Sequence, residues 1–286
     1  MRAEDIMRRS TSPYLFNERR FEKWTTERRG TGHGADYKPW LRITNVPSLG
    51  LRSRLKSTTH GRVMHLMSNL ERSAVFDLEW RGVVDIREQF PLDRDATRRI
   101  AAAMGIRHPR DPGSGTDIVM TTDIVVDVMT ADGIRVVPYY VKPVSDLAKP
   151  RTKEKYDIER RYWESLGMRL QVLTDRQLKG RRIENIRWLR DWHWTDGVEG
   201  FSAARWSSIA DAAMRIVAGT PNGTIGEVCH AIALVEGITP GMGFSVLRHL
   251  ASRRRLLIDV DLARPMLRDP IGRFALPSMQ AASAAA

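Results

Sequence analysis

Two runs rich in β-branched residues, 122–129 and 134–142, flank Thr130-Ala131-Asp132-Gly133, and no other feature limits the fold of this chain as tightly. Aspartate and glycine suit a tight turn, because glycine takes a positive φ without steric cost. Valine, isoleucine and threonine fit a pleated, half-buried surface. An antiparallel hairpin is therefore predicted, and Pro143, which has no N–H to donate, ends its pairing. With the turn centred between Ala131 and Asp132, Asp123 falls near Tyr140 and Asp127 near Val136. Asp123 and Lys142 then meet at the open end of the hairpin.

The flanking sequence predicts a mixed α/β domain. Ser68-Asn69-Leu70-Glu71 reads as a capping box that opens a helix running to about Trp80. Residues 83–90 alternate in part and read as a strand, and Asp93 caps a helix that stops near Gly105. After the hairpin come a charged helix over 152–165 and a strand over 168–173. Beyond Asp175 helical patterns dominate, over 176–195, 205–218, 225–234 and 240–252. Segments 256–260 and 272–276 pair as a short wing, so a helical domain of winged-helix type is predicted. The expected organisation is a basic N-terminal arm (1–67), a catalytic core (68–173), the helical domain (174–278) and a disordered tail (279–286). Gly30-Thr31-Gly32-His33-Gly34 reads as a flexible loop, since no clear strand precedes it as a phosphate-binding loop would require.

The 46 lysines and arginines exceed the 34 acids, giving a net charge of +12 and a polyanionic partner as the natural expectation. A lone cysteine, Cys229, excludes an intramolecular disulfide and a cysteine-rich zinc site, which favours a reducing cytoplasm. The N-terminus lacks a secretory apolar stretch, and no segment approaches about 18 consecutive apolar residues. Against that background Glu71, Asp123 and Lys142 carry the chemistry. Two carboxylates hold a hard cation that keeps most of its waters, Mg2+ by preference with Mn2+ as a substitute. Asp123, Glu71 and the Val141 carbonyl are the candidate ligands, and Lys142 would handle the attacking water and the charge on phosphate. Taken singly, Glu71 reads as a cap and Lys142 as an edge lysine; it is the ordered set that points to a nuclease. Arg52, Arg54, Lys56 and Arg62, with Arg253 and Arg254 further on, are candidates for contacts to DNA phosphates.

The residues also carry a family resemblance. Gly30-x-Gly-x-Gly34, Tyr37-x-Pro-Trp-Leu41, Val46-Pro-Ser48, Ser68-x-Leu-Glu71, Val84-x-Ile-Arg-Glu-Gln-Phe-Pro-Leu92, Met120-Thr-Thr-Asp123, Val141-Lys-Pro143 and Ile158-Glu-x-Arg-Tyr-Trp163 are similar to motifs of TnsA, the endonuclease subunit of heteromeric cut-and-paste transposases. The resemblance implies a restriction-endonuclease-like core with Glu71, Asp123 and Lys142 as catalytic residues and Glu159 as an auxiliary one. It implies cleavage of double-stranded DNA at the 5′ ends of a transposon, beside a TnsB-type transposase and a TnsC-type AAA+ ATPase, in a bacterial cytoplasm at the nucleoid. One position departs: Tyr140 stands where a family member can have glutamine. Either the Val141 carbonyl suffices as a ligand, or Tyr140 contacts substrate, or activity is reduced. Two other readings stand beside the transposition endonuclease: a stand-alone restriction or repair nuclease, and a non-catalytic DNA-binding adaptor.

Overall fold

A computed structural model of the chain describes residues 14–45 and 51–277. The Val46-Pro-Ser48 motif and the expected disordered tail lie outside them. The chain divides into two compact units between Leu178 and Lys179, five residues later than the boundary expected at 173/174. The arm and the catalytic core fall within the first unit.

The hairpin forms as its turn chemistry dictates. Strand β4 (Thr121–Thr130) pairs antiparallel with β5 (Gly133–Val141), and Gly133 takes a φ of 109° at the turn. The register puts Asp127 opposite Val136 and Ile124 opposite Tyr139, as the sequence predicts. β3 (Asp85–Pro91) lies antiparallel on the other side of β4, and β6 (Gln171–Leu173) lies parallel to β5. The sheet order is β3-β4-β5-β6. Six consecutive residues of β4, Thr122–Asp127, are buried on both faces, which explains why its sequence is a β-branched run rather than an alternation.

Helices cover this sheet. α2 (Asn69–Trp80) packs against β5 and against a second hairpin, β1 (Ser53–Lys56) with β2 (Val63–Leu66). α3 (Arg94–Ala103), N-capped by Asp93, packs on α5 (Pro150–Ser165), the crossover that makes the parallel β5–β6 pairing possible; the short α4 (Val144–Leu147) precedes it. Leu92, Met120, Val125, Tyr140, Ile158 and Trp163 form the core on that side.

The arm is built into the domain. Its helix α1 (Glu18–Thr26), capped by the Asn17 side chain, contributes Trp24 to a cluster with Phe16, Trp40 and Val119. The Trp40 N–H donates to the Gln89 carbonyl (3.2 Å), and the Tyr37 hydroxyl to the Glu88 carbonyl (3.1 Å). The glycine-rich segment expected to be a flexible loop is tied down by Gly30 N–H to Lys38 O and Lys38 N–H to Thr31 O. Gly30 is required there: it has a φ of 80°, and a Cβ on it would lie 2.1 Å from Pro91 Cγ.

The second unit holds α6 (Arg181–Arg190), α7 (Ala203–Gly219), α8 (Ile225–Glu236) and α9 (Pro240–Ser252). The expected wing reduces to one antiparallel bridge, Leu257 to Ala275, with no strand around it. Cys229 is a buried core residue whose thiol burial pushes up to about 12. No single described helix is long and apolar enough to cross a membrane; α8 and α9 pass as a pair on length and composition, but they are bent by 106° and contribute much of their own unit's core.

Candidate active site

Three elements, α2, β4 and the end of β5, bring the acid–acid–lysine set together. Ser68 caps α2 by accepting the Glu71 N–H (3.1 Å), but the expected capping box is displaced by one residue. The Glu71 carboxylate reaches past the Ser68 N–H to accept the Met67 N–H (2.8 Å), and its other oxygen takes the Ser68 hydroxyl (3.0 Å). Asp123 projects from β4 to the end of β5, where its Oδ2 accepts the Val141 N–H (2.8 Å). The Lys142 ammonium lies on both Asp123 oxygens, at 2.9 and 3.2 Å. Val141 thus meets Asp123 through its N–H; the expectation that its carbonyl is a ligand is untouched by this contact.

The electrostatics follow from burial. Glu71 is pushed up from an ordinary 4.5 to about 7, first by burial and then by the Asp123 charge, with the Met67 N–H, Lys142 and Ser68 opposing. Burial works against the Lys142 charge, yet Asp123, Tyr140 and Glu71 together hold its pKa above the usual lysine range. Lys142 is therefore a cation here, suited to orienting water and countering phosphate charge rather than to removing a proton.

Glu159 is not a surface residue of α5. It is buried, its carboxyl is pushed well up by burial and by Asp123, and its Oε1 has no hydrogen-bond partner. The Thr122 hydroxyl, which also accepts the Trp163 indole N–H, hydrogen-bonds to it. An orphaned buried carboxyl oxygen, a carboxyl held near neutrality and a buried aspartate are a donor set that fits a divalent cation bound through oxygen.

Sequence reasoning missed Gln89. It sits in β3 between the pairs Glu88–Ile124 and Phe90–Thr122 with a φ of 48°, a strained value for a non-glycine residue. This bend aims its amide Nε2 at Glu71 Oε2 (3.3 Å) while its Oε1 accepts the Thr121 hydroxyl (3.2 Å). Nothing local in Ile-Arg-Glu-Gln-Phe announces a left-handed residue.

Tyr140 is a core residue. Its ring packs on Tyr156 (centroids 5.2 Å apart) and carries the Lys142 ammonium 4.8 Å above its centre. The basic candidates separate. Arg62 is engaged internally: its guanidinium makes a two-pronged ion pair with Glu88 (2.8 and 2.6 Å) and lies over the Tyr37 ring. Arg52 donates to the Ile43 carbonyl. Arg54 and Lys56 point outward from β1. In the second unit Arg253 and Arg254 are exposed, with Arg253 3.1 Å from the His193 ring, whereas Arg248 is half-buried over Trp188.

Residues 81–175 match the family model of the TnsA-like endonuclease N-terminal domain. The Transposon Tn7 transposition protein TnsA of Escherichia coli is 44% identical over 176 residues, a stretch that spans 61% of this chain and 63% of that relative. Asp123, Lys142 and Glu159, carried by one sheet and its crossover helix, lie within the segment that matches this family model.

Proposed function

We propose that the chain is a metal-dependent DNA endonuclease that cleaves the 5′ ends of a transposon, working with a TnsB-type transposase and a TnsC-type AAA+ ATPase. The observation that carries the reading is the meeting of Glu71, Asp123 and Lys142 at the open end of the hairpin, with Lys142 ion-paired to Asp123. Asp123 and Glu71, with Glu159 behind them, are the residues that would hold Mg2+, or Mn2+ in its place. When bound, the cation supplies a water of lowered pKa and polarises the scissile phosphate. Gln89 and the Met67 N–H hold the Glu71 carboxylate in place, and the Val141 N–H fixes Asp123. Lys142 keeps its proton and places a positive charge where phosphate charge develops. Hydrolysis leaves a 5′-phosphate and a 3′-hydroxyl. The transposon ends and both partners come to this chain by its likeness to the Tn7 protein; the winged-helix reading of the second unit rests on helices α6–α9 and the Leu257–Ala275 bridge.

The test is strand cleavage of labelled transposon-end DNA with Mg2+ or Mn2+, with the transposase and ATPase present. Wild type cuts at the 5′ ends, while Asp123→Ala and Lys142→Ala assemble and do not. A folded Asp123→Ala variant that cuts normally would overturn the site. No cleavage by wild type in an assembled complex would favour the adaptor reading, with Tyr140 marking a degenerate nuclease.

A further inference from the structure

We infer that His33, Asp85 and Asp127 form a second metal site, separate from the nuclease centre, that takes a first-row divalent ion of the Zn2+ type. Among the described residues these three are the group of histidine and acids whose ligand atoms lie within 4.8 Å of one another. They come from three segments. His33 sits in the glycine-rich part of the arm, and Asp85 and Asp127 face each other across β3 and β4. Asp127 is four residues from Asp123 along β4, about 13 Å at strand spacing, so the two centres do not share a ligand.

The spacing suits a tetrahedral ion. The His33 Nδ1 lies 3.3 Å from Asp85 Oδ2 and 3.7 Å from Asp127 Oδ2. Ligands at ordinary zinc–nitrogen and zinc–oxygen bond lengths sit about 3.3–3.6 Å apart around a tetrahedral centre. The other oxygen of each carboxylate is already held. Asp85 Oδ1 accepts the Gly34 N–H (3.1 Å) and the Ile86 N–H (2.8 Å), and Asp127 Oδ1 pairs with an Arg87 terminal nitrogen. Outer hydrogen bonds of this kind orient metal ligands. The remaining oxygens, Oδ2 of both, are those that turn towards the imidazole.

Two further observations point to an occupant. Both carboxylates are buried, with the Arg87 guanidinium against both of them and the His60 ring 4.0 Å from Asp85 Oδ1. The Arg87 Nε–H is buried, makes no hydrogen bond, and lies 3.5 Å from Asp85 Oδ2, aimed into the cluster. A water carried by a bound ion supplies the acceptor it lacks. The exposed side of His33 leaves the fourth position open to that water. The imidazole–carboxylate set selects an ion of the zinc class over Mg2+, which prefers oxygen alone. Bound there, the ion would fasten the arm segment 30–34 to the sheet.

The experiment is calorimetric titration of the full chain with Zn2+ in the presence of excess Mg2+, on wild type, His33→Ala and Asp123→Ala. Nitrogen-15 NMR of the histidine rings follows the same titration. One Zn2+ bound per chain is expected, with the His33 Nδ1 resonance shifted. His33→Ala weakens binding at least about 100-fold, more than losing an outer-shell partner usually does, while Asp123→Ala binds as wild type. His33 is exposed, so its removal leaves the fold intact. Stoichiometric binding that survives His33→Ala, binding lost in Asp123→Ala, or no binding by wild type would each overturn the site. In the last case the cluster is a hydrogen-bonded network closed by the His33 ring. None of these readouts depends on DNA cleavage, so the failure of one proposal leaves the other standing.

Discussion

Glu71→Gln should make the protein more stable above neutral pH in metal-free buffer. Burial and the Asp123 charge move the Glu71 carboxyl from 4.5 to about 7, which makes the ionised form about 3 kcal/mol costlier in the folded chain than in the unfolded one. Between those values the folded protein keeps a proton that the unfolded chain has released. Stability therefore falls as pH rises through that window, and the full loss is reached above about pH 7. Glutamine has no such titration, and its amide oxygen can still accept the Met67 N–H. Urea unfolding with a chelator present, at about pH 5 and pH 8, should show the variant gaining on wild type by about 2–3 kcal/mol between the two. Asp123→Asn should reduce the slope without abolishing it, since burial remains the larger cause. A wild-type-minus-variant difference that stays flat between the two pH values would refute the assignment of Glu71 as a buried, near-neutral acid.

Arg62→Ala should destabilise the first unit by about 3–5 kcal/mol, because it strands the fully buried Glu88 carboxylate; a thermal melt unchanged from wild type would return Arg62 to the DNA-contact candidates. Gly30→Ala should loosen the arm, since its Cβ would meet Pro91 at 2.1 Å and its φ of 80° disfavours alanine, and proteolysis should then cut near residues 30–34 first. Tyr140→Ala should cost about 3–5 kcal/mol in unfolding experiments, whereas Tyr140→Phe, which keeps the ring beneath Lys142, should be close to neutral in both stability and cleavage.

What the sequence shows of this fold is what local chemistry encodes. The turn Ala131-Asp132-Gly133 fixes the hairpin register, so the meeting of Asp123 with the end of β5 follows from counting residues. Ser68 and Asp93 place two helix starts by the hydrogen bonds their side chains accept. The parts that escape are contacts between distant segments. Arg62 looks like any basic loop residue until Glu88, 26 positions on, is seen to face it. Glu159 lies four residues after Lys155, the spacing of an ordinary ion pair on a helix surface, yet the sheet buries it. The wing is expected from two short apolar segments, but a bridge at Leu257 and Ala275 is all that forms, and flanking residues such as Asp259 and Arg273 do not extend the ladder. Gln89 could not be found from propensity, because its left-handed φ is imposed by tertiary contacts on both of its amide atoms and on its carbonyl.

The same contacts explain how so many acids coexist at one end of a core. Asp123 is paired with Lys142, and its charge in turn helps keep Glu71 and Glu159 protonated. Below about pH 7 Glu71 thus keeps its proton, as the more strongly shifted Glu159 does, beside the Asp123–Lys142 pair. With a dication held at Asp123, Lys142 would no longer be needed as its countercharge and would be free to face a phosphate. Glu71 and Glu159 would then ionise more readily, so metal uptake would release protons. Proton release on Mg2+ binding, measured by titration in buffers of different ionisation enthalpy, should therefore be substantial near pH 6 and diminish above pH 7, where Glu71 is already ionised. Release that does not change with pH would mean that Glu71 stands outside the cation's field, and the acid–acid–lysine set would lose its first member.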